Sequence, residues 1–187
     1  MSIQSRTPDD LEKMIGNPAA PGKTPEPRQY DMRIARDGTW FHQGGPIKRM
    51  ALVKLFATVL RRDQAGDFWL VTPVERGRIE VEDAPFVAVE LHTQGEGKAR
   101  MLRLRTNLDQ WVSVGSDHPI RVAEDPDTGE PAPYVLVRDN LEALISRAVF
   151  YELAELAELA ELAQTQPGGA MLGVWSAGAF FALGPAE

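Results

Sequence analysis

The order of apolar and polar residues changes period several times along this chain, and each change predicts an element. Arg78-Ile79-Glu80-Val81-Glu82 alternates with a period of two. So does Arg100-Met101-Leu102-Arg103-Leu104-Arg105, where Leu102 and Leu104 share one face and Arg103 and Arg105 the other, and both segments read as half-buried strands. From Pro46 to about Arg62 the period lengthens. Leu52, Leu55, Phe56, Val59 and Leu60 recur at three- and four-residue spacing, with Lys48, Lys54, Arg61 and Arg62 mainly off that stripe, which predicts a helix with one core face. Strand-like runs also occupy Trp40-Phe41, Phe68 to Thr72, Trp111 to Val114, Ile120 to Val122 and Tyr134 to Val137. Turn signals separate them at Arg36 to Thr39, Gly66-Asp67, Arg76-Gly77, Gly95-Glu96-Gly97 and the acidic stretch from Glu124 to Gly129. Gly44-Gly45-Pro46 stops the Trp40-Phe41 strand and opens the helix, and the apolar stretch from Met171 to Leu183 predicts a buried strand pair.

The two ends of the pattern differ in kind. Thr7-Pro8-Asp9-Asp10 is a helix-start signal: a hydroxyl acceptor, a proline with no N–H to leave unpaired, and two acids at the positive end of the dipole. Gly16 ends that short helix, and Pro18, Pro21, Pro25 and Pro27 make an extended arm. Toward the other end a long helix is predicted over 140–164, containing four tandem Glu-Leu-Ala triplets from Glu152 to Ala163 and stopped by Pro167-Gly168-Gly169. A three-residue repeat slips by ~60° per step against a 3.6-residue turn, so the leucines keep no single seam and a coiled coil is not expected. One phrase occurs twice, as Asp83-Ala84-Pro85-Phe86-Val87-Ala88-Val89 and as Asp117-His118-Pro119-Ile120-Arg121-Val122, each after a strand-like segment, which suggests a duplicated scaffold. The organisation that follows is an N-terminal helix and proline-rich arm over 1–29, a first unit over 30–92 and a second over 93–187.

Composition narrows the class without naming a function. The 187 residues, 43% hydrophobic and 25% charged, suit a soluble globular chain with enough apolar material for a core. Zero cysteines exclude disulfides and thiolate metal clusters, which fits a reducing cytoplasm. The start Met1-Ser2-Ile3-Gln4-Ser5-Arg6 does not resemble a secretory signal, and no apolar stretch reaches the ~20 residues that span a bilayer. A formal charge of −7 argues against nucleic acid or an anionic membrane as partner.

The best candidate for binding is His42-Gln43-Gly44-Gly45-Pro46-Ile47-Lys48-Arg49, where glycines, a predicted helix start and two cations favour an anion, phosphate above all. Neither GxxxxGK[ST] nor GxGxxG is present, so a plain strand-to-helix turn with solvated basic residues stands beside that reading. Arg76, Arg78, Arg103 and Arg105 are matched by an excess of acids and are expected in surface ion pairs, while Arg147 and Tyr151 share a helical face. Catalytic templates fail. The side chains of Ser116-Asp117-His118 are consecutive and cannot converge as a triad, and Ser176 lacks both the preceding glycine of a nucleophile elbow and any later histidine. His42, His92 and His118 have no zinc spacing, and 125–130 lacks a calcium-loop pattern. No catalytic residue, metal or cofactor is assigned.

At Trp40 to Arg49, Leu70-Val71-Thr72-Pro73-Val74-Glu75, Asp83-Ala84-Pro85-Phe86 and Arg147 to Leu153, the chain resembles the bacterial domain-of-unknown-function family 1285, over roughly residues 7–183. The resemblance implies a duplicated α+β core, a second half superficially similar to pleckstrin-homology-like folds, and a cleft between halves for a nucleotide-like ligand in signalling. By that resemblance His42, Gln43, Lys48, Arg49, Thr72, Glu75 and Arg147 are candidates to line it, joined by Gly44 from the glycine turn. The Glu-Leu-Ala run departs from the family pattern, and nothing is carried onto it.

The expected fold is therefore α+β, with two similar subdomains, each a curved antiparallel sheet packed on one helix and each containing the Asp-x-Pro phrase. The expected function is non-catalytic sensing of an anionic, nucleotide-like small molecule. The alternative is a protein-interaction module using the acidic C-terminal helix or a sheet edge.

Overall fold

In a computed structural model of the chain, which describes residues 27–160 and 171–185, two units each organise around a six-stranded sheet. The N-terminal helix expected near Thr7 and most of the proline-rich arm lie outside the described residues. The first unit runs to Pro85 and takes in Asp139–Leu141; the second comprises Phe86–Arg138 and Glu142–Glu187.

The first sheet contains β1 (Pro27–Ile34), β2 (Trp40–His42), β3 (Gly45–Pro46), β4 (Leu60–Arg62), β5 (Phe68–Val71) and β6 (Arg76–Val81), ordered β3-β2-β1-β6-β5-β4. The chain thus winds outward from the centre through three strands and inward through three, and its first and sixth strands meet in parallel. That parallel pair corrects the expectation of an antiparallel sheet. Helix α1 (Met50–Val59) occupies the passage between β3 and β4 and buries Leu52, Val53, Phe56 and Ala57. Phe56 stacks on Trp40 at 6.2 Å between ring centres, which joins the helix to the β1–β2 hairpin in one core with Met32, Ile34, Leu60, Leu70 and Ile79.

The expected helix over 46–62 is shorter at both ends. Pro46 belongs to the β3 edge, and Leu60–Arg62 pair with Phe68–Leu70, because Leu60 enters the core better as a cross-strand partner of Leu70 than as another helical turn. Nor do Arg76-Gly77 form a turn: Thr72 to Glu75 do so, and Arg76 opens β6.

The second sheet repeats the winding. It contains β7 (Phe86–Gln94), β8 (Met101–Thr106), β9 (Trp111–Ser113), β10 (Ile120–Glu124), β11 (Pro131–Arg138) and β12 (Leu141–Ile145), ordered β10-β11-β12-β7-β8-β9 and curled into a half-barrel. Again the first and sixth strands pair in parallel, Ala143 to Ile145 against Phe86 to Ala88. Because β7 pairs with β8 and β12, the second unit begins at Phe86 rather than after His92. Both Asp-x-Pro phrases lead into strands of this one sheet, β7 and β10, so they do not mark equivalent places in the two units.

The long helix expected over 140–164, of which 161–164 lie outside the described residues, is replaced over 141–160 by three elements. Leu141, Ala143 and Ile145 alternate inward as β12, α2 spans Arg147–Glu155, and β13 (Glu158–Ala160) pairs with β14 (Met171–Ser176). Helix α2 starts where the Ser146 hydroxyl accepts from the Val149 N–H at 3.4 Å, and it buries Val149 and Leu153. It ends at a C-cap, Leu156, whose carbonyl accepts from the Arg100 guanidinium at 3.0 Å. Strand β15 (Ala179–Pro185) completes a three-stranded sheet, β13-β14-β15, as the strand pair expected from Met171 to Leu183. Within that pair Gly173 is required: a Cβ there would lie 2.3 Å from the Phe181 carbonyl oxygen.

Candidate functional site

The glycine turn and the helix start, expected to coincide, are separate features of the first unit. Gln43 and Gly44, with φ of 51° and 77°, form the two-residue turn of the β2–β3 hairpin, the left-handed pair that matches strand twist. The Gln43 N–H donates to the Asp31 carbonyl at 3.0 Å. The helix begins four residues beyond Pro46, with Arg49 as N-cap in an extended conformation.

That start has an unusual electrostatic character. Arg49 supplies no side-chain cap, and no acid lies in the first turn. The Arg49 carbonyl accepts from Leu52 at 2.9 Å and Val53 at 3.2 Å, which leaves the N–H groups of Met50 and Ala51 without partners among the described residues. Lys48 and Arg49 are both exposed, and Lys48 has no partner among the described residues. The Lys48 charge, the two amides and the dipole end therefore meet over 48–51 with no carboxylate in the first turn.

The other side of the hairpin is chemically different. A recess of about 130 Å³ beside Gly44 is lined by Asp31, Arg33, Phe41 and Glu80. Arg33 is spent there: its guanidinium lies 4.4 Å from the Phe41 ring centre and pairs with Glu82. His42, half-buried, pairs across the sheet with Met32. An anion would find its complement at the helix start rather than in this recess.

Thr72 and Glu75 are buried, and their polar atoms are committed to the fold. The Thr72 hydroxyl donates to the Glu75 carbonyl at 3.0 Å and accepts from the Glu75 N–H at 3.1 Å, closing the β5–β6 turn. The Glu75 carboxylate accepts from the Tyr30 hydroxyl and pairs with Arg28 at 3.5 Å. Gly77 makes this possible, since a Cβ there would fall 2.2 Å from the Tyr30 ring. Tyr30 and Arg28 were not singled out in the sequence, where only proximity to β6 in space would have connected them to Glu75. Arg147 belongs to the second unit, at the exposed start of α2, where it pairs with Glu130 at 2.5 Å; Tyr151 on the same helix is 60% exposed. Of the eight candidates, five (His42, Gln43, Gly44, Lys48 and Arg49) share one stretch of backbone, two close a turn, and one sits on another unit.

The basic set over Arg76 to Arg105 is engaged with neighbours. Arg78 pairs with Asp67 at 2.5 Å, and Arg105 with Glu90 and Asp109 at 2.6 and 2.8 Å. The Glu90 hydrogen bond holds the Arg105 guanidinium above its ordinary pKa. Arg76 and Arg103 lie over Trp69 and Trp111, at 4.2 and 5.1 Å from the ring centres. Two carboxyls are held below the usual range by local donors, Asp37 by the Thr39 N–H and Asp63 by the Trp69 indole at 2.8 Å. Both are turn anchors, at Asp37-Gly38 and Asp63 to Asp67. His118 bonds the Leu136 carbonyl through Nδ1 at 3.0 Å, a structural role within the second sheet. Among the described residues no three His, Asp or Glu side chains gather as a metal site would need, and no helix is long and apolar enough to cross a membrane.

The geometry thus defines a two-unit α+β protein, each unit a curled six-stranded sheet of the same winding. The chain belongs to the DUF1285 family: residues 20–84 match the model described as "Domain of unknown function (DUF1285), N-terminal domain", and residues 85–183 the corresponding C-terminal domain. The boundary between those models falls one residue from the Pro85/Phe86 boundary in the structure. A DUF1285 family protein from Silicibacter pomeroyi DSS-3, solved by crystallography, is 48% identical with a TM-score of 0.78, over 88% of this chain and 85% of that one. A second, from Shewanella baltica OS155, shares the fold at 24% identity and a TM-score of 0.54, over 67% of this chain and 91% of that one. No curated protein matches the sequence.

Proposed function

We propose that the chain is a non-catalytic sensor that holds a small anionic, nucleotide-like molecule at the start of α1, as part of bacterial signal transduction. The observation that carries this reading is the uncapped helix start: amides at Met50 and Ala51 without partners among the described residues, the exposed Lys48 beside them, and no acid in the first turn. The His42-Gln43-Gly44 turn lies at the other end of the β2–β3 hairpin from this start, since Ile47 bonds back to Trp40, and is left out of the site. Thr72 and Glu75, which close the β5–β6 turn, and Arg147, which belongs to the second unit, are left out of it.

Calorimetric titration with inorganic phosphate, pyrophosphate, ADP and adenosine tests this reading. Binding of pyrophosphate and ADP, weakened at least tenfold in the doubly substituted Lys48→Ala/Arg49→Ala protein and by added salt, is the expected result. Adenosine alone should bind weakly or not at all. Absence of binding by every anion, or affinity indifferent to the two substitutions, would remove the reading.

A further inference from the structure

One edge strand of the second sheet opens on an apolar groove, and its backbone faces that groove with no partner among the described residues. Among the described residues strand β10 pairs with β11 alone. Along it runs a groove of about 580 Å³, within the ~300–1,000 Å³ range of ligand sites. One wall is every residue of β10, Ile120–Glu124, and the opposite wall is the stretch Phe180–Pro185 of β15, with Met171 beside it. Side chains alternate along a strand, so walls made of successive residues are backbone edges rather than faces, and both β10 and β15 meet the groove edge-on.

The register says which groups are presented. Leu136 donates to the Pro119 carbonyl at 3.1 Å, so Pro119 and Leu136 are a bonded pair, and bonded pairs then recur at Arg121/Tyr134 and Ala123/Ala132. Ile120, Val122 and Glu124 therefore turn their N–H and C=O groups away from β11 toward the groove. Pro133 and Pro131, which have no N–H to give, sit opposite Val122 and Glu124, as this phase requires.

Other edges carry the usual protection. Strand β3 is two residues with a proline, and β4 and β9 are three residues each. Strand β10 has five residues with no proline or lysine. Its one cation, Arg121, is held in a two-pronged bond to Glu142 at 2.6 Å and lies over Tyr134. Glu124 is left as an exposed charge in the groove with no partner among the described residues.

We propose that this edge takes an extended, mainly apolar peptide segment carrying one basic residue, which adds to β10 as a further strand. Its backbone pairs with Ile120, Val122 and Glu124, its apolar side chains lie over Phe180, Leu183 and Met171, and its cation meets Glu124. An acyl chain or other purely apolar molecule would leave the edge amides unmatched. This site involves none of the residues at the helix start of the first unit, so the two readings stand or fall separately.

The probe is a capped, fluorescently labelled pentapeptide of alternating valine and threonine with one lysine, tested beside two relatives: one with glutamate in place of lysine, and one N-methylated at alternate amides. The lysine peptide is expected to bind the full chain, with the N-methylated form about tenfold weaker or worse, since each lost edge bond costs a measurable fraction of the affinity. Val122→Pro should abolish binding, and Glu124→Lys should reverse the preference between lysine and glutamate peptides. Should Val122→Pro fail to fold, the N-methylated peptide against the unaltered chain decides alone. Equal binding of the N-methylated form, no binding of any peptide, or concentration-dependent dimers that Val122→Pro dissolves would each overturn the proposal, the last by assigning the edge to a second copy of the chain.

Discussion

The two units wind their six strands in the same order, yet they cover the sheet differently. In the first, the cover is inserted between the third and fourth strands as α1; in the second, β9 passes to β10 without a helix, and the cover follows the sixth strand as α2 and β13–β15. The lesson is that the out-and-back winding with its central parallel pair is a complete solution to strand pairing, whereas the apolar face needs some cover and accepts it from any point in the chain. The two covers are fastened by different chemistry. Phe56 against Trp40 joins helix to sheet by ring contact in the first unit, while in the second the fully buried Ser176 hydroxyl accepts from Leu102 at 3.0 Å and donates to Val114 at 2.7 Å.

That contrast can be broken most sharply at Ser176. Ser176→Ala leaves a buried N–H and a buried carbonyl unmatched, and denaturant unfolding should show a loss of about 2–4 kcal/mol, with faster amide exchange at Leu102. Thr72→Ala, the related change in a turn of the first unit, should cost no more than about half of that; equal losses would show that the two units rely on polar fastening alike. Next in size is Gly77→Ala, expected to cost about 1–3 kcal/mol by driving out the Tyr30 ring. In a Tyr30→Ala background the same substitution should be nearly neutral, and a full penalty there would place the strain elsewhere than at the ring. The smallest effect concerns Asp63 and Trp69. The folded carboxyl titrates below its unfolded value, so the indole bond contributes fully above about pH 4 and is lost as pH falls through the lowered folded value. The Trp69 indole proton resonance should follow that titration and become flat in Asp63→Asn; a titration that persists would assign it to another acid.

Several elements were legible in the sequence because their cause is local. Alternation placed β6 and β8, Asp37-Gly38 placed the first hairpin, and Leu52 with Phe56 placed the buried face of α1. The candidate site was legible in part. Lys48 and Arg49 do stand at a helix start, but the turn of Gln43 and Gly44 belongs to a hairpin, and nothing local says that Glu75 would be enclosed by Tyr30 and Arg28, more than forty residues away.

The tandem triplets show where local information ends. Glu152-Leu153-Ala154 is helical and Glu158-Leu159-Ala160 is a strand, although the residues are the same. The chain by itself determined the class of fold, the apolar faces and most turns, since periodicity and left-handed backbone positions are properties of a few neighbouring residues. Tertiary structure decided which triplet is helix and which is strand, that Leu141 to Ile145 extend beside β7, and that β10 is left as an open edge. In the first two cases the deciding partner is a strand elsewhere in the sequence, and a segment's own preference, a few tenths of a kcal/mol per residue, is smaller than what pairing and burial there contribute.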